Sequence, residues 1–125
     1  MGEGSFGKVY SAVSVFTEKE VAVKCFDKSK LQNETAKKKI FQEIAMLKRM
    51  DHPNVIKLLE VFENKKFIFF IMEYAAESDI LKLLKKRGPL DEKIACYLVF
   101  QIIQGLKHCH EQGILHRDIK LDNVL

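Results

Sequence analysis

Alternating apolar and polar residues predict strands in the first part of the chain. After a glycine-rich start, Val9, Val13 and Val15 alternate with polar or small residues in a run that favours β-structure. A turn at residues 17–19 separates this run from a short apolar strand at residues 21–26. The apolar runs at residues 55–62 and 67–73 predict two more strands, joined across Asn64, Lys65 and Lys66.

Helical spacing replaces the alternation between residues 34 and 50. Apolar side chains recur there every three or four residues, which predicts a helix with one buried face. That stripe consists of Ala36, Ile40, Ile44, Leu47 and Met50. Pro53 disfavours helical backbone at His52, so we expect the helix to end before this point.

Two further helices are predicted in the second half of the chain. Residues 79–87 form the first, which stops at Gly88 and Pro89. Asp91 can cap the second, which continues to Gln112 and Gly113. Its apolar residues leave almost no polar face, so we expect this helix to be a core element.

Length and composition indicate one small globular protein. A chain of 125 residues can bury one core, with little margin, and 47% apolar against 30% charged residues is ordinary for a soluble protein. No apolar run approaches the ~20 residues of a membrane span, and no signal-peptide pattern is present. We therefore expect an intracellular protein without a membrane span.

The charge distribution and the cysteines indicate which partners and which cellular location to expect. The net charge of +4 comes from clusters such as residues 37–39, 65–66 and 85–87, and no aromatic residues interleave with them. Solvated faces explain these clusters better than a nucleic-acid surface does. Cys96 and Cys109 fall on one predicted helix, about 20 Å apart, which no disulfide can span. We expect reduced thiols and a cytoplasmic or nuclear location.

Glycines at positions 2, 4 and 7 form the first candidate site. Glycine spacing of this kind lets backbone amides approach phosphates, but the pattern by itself fits a dinucleotide-binding turn equally well. A dinucleotide fold needs a helix after the glycines, whereas a β-rich run follows here. The glycines are therefore predicted to lie in a hairpin between two strands, which brings the predicted strand count to five.

Residues 116–123 form the second candidate site, a polar run between two apolar pairs. Asp118 could accept a proton, while Asn123 could offer an amide oxygen to a hard cation. Lys120 lies between them and could hold a phosphate. A polar turn whose charges face water explains the same residues, and the run alone does not decide between the two.

Lys24 and Glu43 are the third candidate. Most lysines near apolar neighbours extend their amine to water, which is the alternative for Lys24. Glu43 falls inside the apolar stripe of the first helix, and a carboxylate facing a core needs a cation. Lys24, on the strand before this helix, is the candidate partner.

Four motifs in order resemble those of the protein kinase family. Residues 2–9 match G-x-G-x-x-G-x-V, residues 21–24 match V-A-I-K with Val23 for Ile, and Glu43 stands where the helix glutamate is expected. Residues 116–123 match H-R-D-L-x-x-x-N, with Ile119 for Leu. Lys120, two residues after Asp118, resembles the Ser/Thr type, and the chain looks most like the calmodulin-dependent and AMP-activated kinase group.

The resemblance implies an α+β fold and a division of the chain. It implies a kinase small lobe, a five-stranded antiparallel sheet with one helix, at residues 1–73. A hinge follows at residues 74–78. Residues 79–125 would begin the helical lobe and end at the catalytic loop.

The resemblance also implies catalytic roles. Asp118 would accept the hydroxyl proton, Lys120 would steady the γ-phosphate of ATP, and Asn123 would hold Mg²⁺. Lys24, fixed by Glu43, would hold the α- and β-phosphates. Protein substrates bearing Ser or Thr are the implied partners, and no nucleic acid is expected.

The implied nucleotide site draws on several elements. Met72 would lie at the back of the adenine pocket, and the Glu73 carbonyl and Ala75 amide would pair with adenine. Asp79 would bond the ribose or a basic substrate residue, or it is simply the first-turn acid of its helix. The other implied contacts are Gly2, Glu3, Gly4, Ser5, Phe6, Gly7, Val9, Ala22 and Leu125, the last in a strand beneath the adenine.

One departure from the family limits the expected activity. The family's domain is longer than this chain, and the Asp-Phe-Gly segment that supplies the other Mg²⁺ ligand does not occur in it. We therefore expect a catalytic-domain fragment that is inactive alone, although its full-length parent transfers phosphate. A non-catalytic nucleotide-binding or scaffold fragment is the alternative.

Overall fold

The computed structural model of the protein describes residues 2–4, 7–31, 33–76 and 79–125. A five-stranded antiparallel sheet forms its first part, in the order β1-β2-β3-β5-β4. The strands are β1 Gly2–Gly4, β2 Gly7–Val13, β3 Glu20–Asp27, β4 Leu58–Glu63 and β5 Phe67–Glu73. This sheet and the helices below confirm the predicted α+β class.

Helix α1, Glu34–Leu47, packs one face against the sheet. Asn33 caps its start, because the Asn33 Oδ1 accepts a hydrogen bond from the Ala36 amide at 2.6 Å. The rings of Phe26 and Phe70 lie at the centre of the core, with centroids 4.6 Å apart. Around them pack the remaining buried members of the core, Leu31, Ile40, Leu58 and Ile68.

Two helices follow the sheet along the chain. Helix α2, Ile80–Arg87, is capped by Asp79 and ends at Gly88, whose φ of 84° suits glycine. Helix α3, Glu92–Glu111, begins after Asp91, whose carboxylate accepts from the Lys93 amide at 2.9 Å. A short 3-10 helix, Leu121–Asn123, lies near the end of the chain.

The chain divides into two compact units. The first comprises Met1–Asp51 and Ile56–Tyr74, and the second comprises His52–Val55 and Ala75–Leu125. The assignment of residues 1–73, 74–78 and 79–125 to a small lobe, a hinge and a helical lobe stays a prediction.

Residues 52–55 form a turn that packs on α3 within the second unit. The Asn54 Nδ2 donates to the Gln101 Oε1 at 3.0 Å, and the His52 and His108 rings stack with centroids 5.1 Å apart. A Cβ on Gly105 would lie only 2.7 Å from the Asn54 carbonyl oxygen. Glycine is therefore required at position 105 for this close approach.

The predicted ends of two elements were wrong. Helix α1 ends at Leu47 and not at Met50, although Met50 is buried and its amide donates to the Leu47 carbonyl. Strand β4 begins at Leu58 and not at residue 55, because Val55 closes the turn by donating to the His52 carbonyl at 3.0 Å. The strand implied at Val124 and Leu125 is absent from the described residues, and Leu125 is exposed.

The prediction that α3 is a core element was also wrong. Among its residues, Gly105 and Cys109 are buried, whereas the larger apolar side chains Ile94, Tyr97, Val99, Phe100 and Ile103 are exposed. A helix that is apolar on every side needs neighbours on every side. Within the second unit, the described elements cover one side of α3.

The described helices include none that is both long enough and apolar enough to cross a membrane.

Candidate functional site

The glycine-rich segment forms the hairpin between β1 and β2. Gly2 pairs with Val9, Glu3 with Lys8, and Gly4 with Gly7 in the antiparallel register. Ser5 and Phe6, which were also predicted to contact the nucleotide, lie outside the described residues. The backbone pairing thus agrees with a strand hairpin and excludes the helix that a dinucleotide-binding turn would need at this position.

Lys24 and Glu43 form an ion pair in the first unit. The Lys24 Nζ lies 2.7 Å from the Glu43 Oε1, and both side chains keep about a third of their surface exposed, 28% and 35%. Ala22, Lys24 and Phe26 are spaced by two residues along β3, so their side chains lie on the same face of the sheet. Its amine also lies 4.9 Å from the centre of the Phe26 ring.

The Lys24–Glu43 ion pair lies at the edge of the core and is partly exposed to solvent. Helix α1 places Glu43 on the side that faces the sheet, beside Ile40, Ile44 and Leu47 of the core face. About a third of each side chain is exposed to solvent, so the pair is not sealed inside the core. The Glu43 carboxylate fixes its position.

The implied adenine contacts lie on β3 and β5. Ala22 is buried and pairs with Met72 in the sheet, and Met72 packs against the core. Glu73 ends β5, with its amide donating to the Lys57 carbonyl at 2.9 Å. Ala75 belongs to the second unit.

Asp118 is the centre of a polar cluster in the second unit. Its Oδ2 accepts a hydrogen bond from the Asn123 Nδ2 and forms an ion pair with the Lys120 Nζ, each at 3.0 Å. The Asn123 Nδ2 also donates to the Asp118 carbonyl at 2.8 Å. The side-chain hydrogen bond from Lys120 is the main cause that holds the pKa of Asp118 below its ordinary value, and the hydrogen bond from Asn123 is the second. These contacts therefore favour the ionised form of the carboxylate.

The backbone before Asp118 adopts an uncommon conformation. Arg117 has a φ of 63°, in the left-handed region that non-glycine residues rarely occupy. The His116 Nδ1 accepts a hydrogen bond from the Asp118 amide at 3.3 Å and so supports this bend. Such conformations concentrate at active sites, where they aim a side chain.

The side chain of Asn123 is suited to supply one oxygen ligand to Mg²⁺. Its amide nitrogen is occupied by Asp118, which leaves the amide oxygen as the free donor atom, and Mg²⁺ prefers oxygen ligands. Over the described ranges, no group of three His, Cys, Asp or Glu side chains could hold a metal ion.

Asp79 is engaged within its own helix. Its side chain is 11% exposed, its Oδ1 accepts from the Lys82 amide at 2.9 Å, and its Oδ2 lies 2.8 Å from the Lys82 Nζ. These bonds make Asp79 the N-cap of α2. This structural role explains an acidic residue at position 79 even when no ligand is bound. Lys82 was missed by the sequence reasoning, although its spacing of three residues from an acid is a typical sign of a helical ion pair.

The predicted site residues therefore form two groups. The first unit joins Lys24 to Glu43, near the glycine hairpin and the β3–β5 pairing of Ala22 and Met72. The second unit joins Asp118, Lys120 and Asn123, while Leu125 is exposed two residues further on. The roles of these residues in binding and catalysis stay predictions.

Comparisons with known proteins agree with the motifs. The family model described as "Protein kinase domain" matches residues 1–125. The chain is 37% identical over its whole length to the mouse "NUAK family SNF1-like kinase 1", of which it covers 19%. It is 37% identical to the rice (Oryza sativa subsp. japonica) "CBL-interacting protein kinase 31" and covers 28% of that protein.

A yeast relative extends the comparison to fungi. The chain is 39% identical to the "Fatty acyl-CoA synthetase and RNA processing-associated kinase 1" of Saccharomyces cerevisiae (strain ATCC 204508 / S288c). All of the chain is aligned, but only 16% of that kinase is covered. The chain thus spans less than a third of the length of these curated relatives. With a family match over every residue and the motif geometry above, the chain belongs to the protein kinase family.

Proposed function

We propose that this chain is the ATP-binding and catalytic-loop part of a protein serine/threonine kinase. In its full-length parent, the γ-phosphoryl group of ATP is transferred to a Ser or Thr hydroxyl of a protein substrate. The observation that carries the proposal is the Asp118 carboxylate, held by Lys120 and Asn123 directly after the left-handed Arg117. A simple solvent-exposed turn at residues 116–123 would not need the left-handed backbone of Arg117.

Each side chain has a separate task in the proposed reaction. Asp118 orients the substrate hydroxyl and accepts its proton, and its low pKa keeps it ionised before the transfer. Lys120 and Lys24 provide cations for the phosphate oxygens, and Glu43 holds the Lys24 amine in place. Mg²⁺, when bound, neutralises charge on the phosphoryl oxygens, and Asn123 is its protein ligand in this chain.

The test measures transfer of radiolabelled γ-phosphate from ATP to peptides carrying Ser, Thr or Tyr. The full-length protein that contains this chain is used, because the relatives are several times longer. Label is expected on Ser or Thr and not on Tyr. Replacing Lys24 with Met should reduce transfer at least a hundredfold, since it removes a cation that acts on charge in the transition state.

Lys28 offers a matched control in the same unit. Its Nζ also lies 2.7 Å from a glutamate, Glu63, and its side chain is 32% exposed, close to the value for Lys24. Lys28→Met should therefore leave transfer unchanged. Absence of transfer by the wild-type protein, with ATP still bound, would instead identify a non-catalytic nucleotide-binding module.

A further inference from the structure

The ion pair between Asp79 and Lys82 is asymmetric in its exposure. The Asp79 side chain is 11% exposed and the Lys82 side chain is 65% exposed, with the Lys82 Nζ 2.8 Å from the Asp79 Oδ2. Both carboxylate oxygens are already occupied, one by the Lys82 amide and the other by the Lys82 Nζ. A basic residue from another molecule would have to displace Lys82 to reach Asp79.

The charges of both groups favour this closed arrangement. The hydrogen bond from the Lys82 side chain is the main cause that holds the pKa of Asp79 below its ordinary value. The pKa of Lys82 is raised, mainly by Asp79 and to a smaller extent by Asp122. Both members of the pair are therefore charged across the physiological pH range.

The exposed face of α2 is basic beyond this pair. Lys82, Lys85 and Lys86 are spaced by three and four residues, which places them on neighbouring positions of one helix face, and all three are exposed. Arg87 follows, and Ile80–Arg87 contains no acidic residue. Because Asp79 neutralises only Lys82, the face carries a net positive charge.

The start of α2, which carries Lys82, lies next to the catalytic loop. The Ile80 amide, in the first turn of α2, donates to the Val124 carbonyl at 2.9 Å, one residue after Asn123. Asp122, which favours the charge on Lys82, lies in the same 3-10 helix as Asn123. A protein substrate bound at Asp118 would thus meet α2 within the same compact unit.

We propose that Lys82 determines substrate specificity, by occupying Asp79 and presenting with Lys85 and Lys86 a cationic surface that selects acidic residues near the phosphorylated Ser or Thr. The inference rests on the proposed kinase function. It departs from the role of Asp79 as an acceptor for basic substrate residues, because here an internal lysine has taken that place. Complementary charge near the reacting group favours acidic segments and disfavours basic ones.

The test compares two peptides that differ only in the residues around a single Ser, glutamates in one and arginines in the other. In the full-length protein, kcat/KM should be at least about tenfold higher for the acidic peptide, mainly through KM. Half-molar salt should reduce this preference, since it screens exposed charges beyond a few Å. The variant Lys82→Ala should lower the preference about tenfold, because it removes one cation and frees Asp79 for arginine.

Three further variants separate specificity from structure. Lys82→Arg should retain the acidic preference, since it keeps the charge, and Lys107→Ala should leave it unchanged. Lys107 is a matched control, an exposed lysine of α3 whose Nζ lies 3.9 Å from the Glu111 Oε1. The double variant Lys82→Ala with Asp79→Asn should not gain a basic preference, since it keeps Lys85 and Lys86 and offers arginine no carboxylate at position 79.

An equal peptide preference in wild type and Lys82→Ala, or a wild-type preference for the basic peptide, would overturn the proposal. If neither peptide is phosphorylated, the kinase function has failed, and fluorescence anisotropy of the same labelled peptides then decides the specificity question. Tighter binding of the acidic peptide that depends on Lys82 supports the surface independently. Equal binding of both peptides, or binding of neither, refutes it.

Discussion

Glutamates 43 and 34 provide a direct comparison of two carboxylates on one helix. Each pairs with a lysine: Glu43 with Lys24 at 2.7 Å, across to β3, and Glu34 with Lys37 at 3.1 Å along the helix. The Glu34 side chain is 78% exposed, whereas that of Glu43 is 35% exposed. We predict that Glu43→Gln reduces phosphoryl transfer strongly in the full-length protein and that Glu34→Gln does not.

The expected magnitudes follow from these surroundings. An exposed pair one helical turn apart, such as Glu34 and Lys37, contributes about 0.3–0.5 kcal/mol to stability and nothing to transfer. The Glu43 pair is partly screened, so its loss should cost about 1 kcal/mol of stability or less. Loss of a placed cation in the transition state costs far more, about a hundredfold in kcat, or about 2.7 kcal/mol.

The assay combines radiometric kcat values with thermal unfolding of the same variants. The effects of Lys24→Met and Glu43→Gln should not add, because Glu43 acts only by holding the Lys24 amine, so the double variant should be no slower than Lys24→Met. Equal kcat for Glu43→Gln and Glu34→Gln would refute the role of the pair. A loss of activity that only follows the loss of folded protein would also refute it.

Two other predictions concern the second unit. Gly105→Ala should lower the free energy of unfolding by about 1–3 kcal/mol, because the new Cβ meets the Asn54 carbonyl at 2.7 Å, while Cys96→Ala on the exposed side of α3 should stay within about 0.5 kcal/mol. Urea unfolding measures both, and a neutral Gly105→Ala would show that residues 52–55 are not held against the helix. For Asp79, whose folded pKa is depressed by Lys82, the stabilisation is present above its unfolded pKa of about 4 and is lost as pH falls through the folded pKa. The stability difference between wild type and Asp79→Asn should therefore shrink as the pH falls below about 4, and a difference independent of pH would contradict the ion pair.

Much of the sheet and of the first site could be predicted because local spacing decides them. Glu43 interrupts an apolar stripe, and a carboxylate in that place needs a cation, so the contact with Lys24 follows from the cost of burying charge. Alternation of apolar residues placed the strands, and the β-rich run after Gly7 identified a hairpin.

Long-range packing accounts for what the sequence did not reveal. Val55 is apolar and continues into a strand-like run, but the turn at residues 52–55 packs on α3, which no local pattern encodes. The apolar composition of α3 indicated burial, whereas exposure depends on which neighbours are present. Asp79 looked equally suited to a ligand and to a helix start, and only the position of the Lys82 amine shows that both of its oxygens are occupied.

The central claim is that Asp118 acts on the substrate hydroxyl in phosphoryl transfer. Its most direct test is the single-turnover rate of γ-phosphate transfer to a Ser peptide by wild type and Asp118→Asn, with ATP affinity measured in parallel. Asparagine keeps the shape of the side chain but cannot accept the proton, so the rate should fall at least a hundredfold while ATP affinity and unfolding temperature stay close to wild type. Transfer by Asp118→Asn at the wild-type rate would contradict the account.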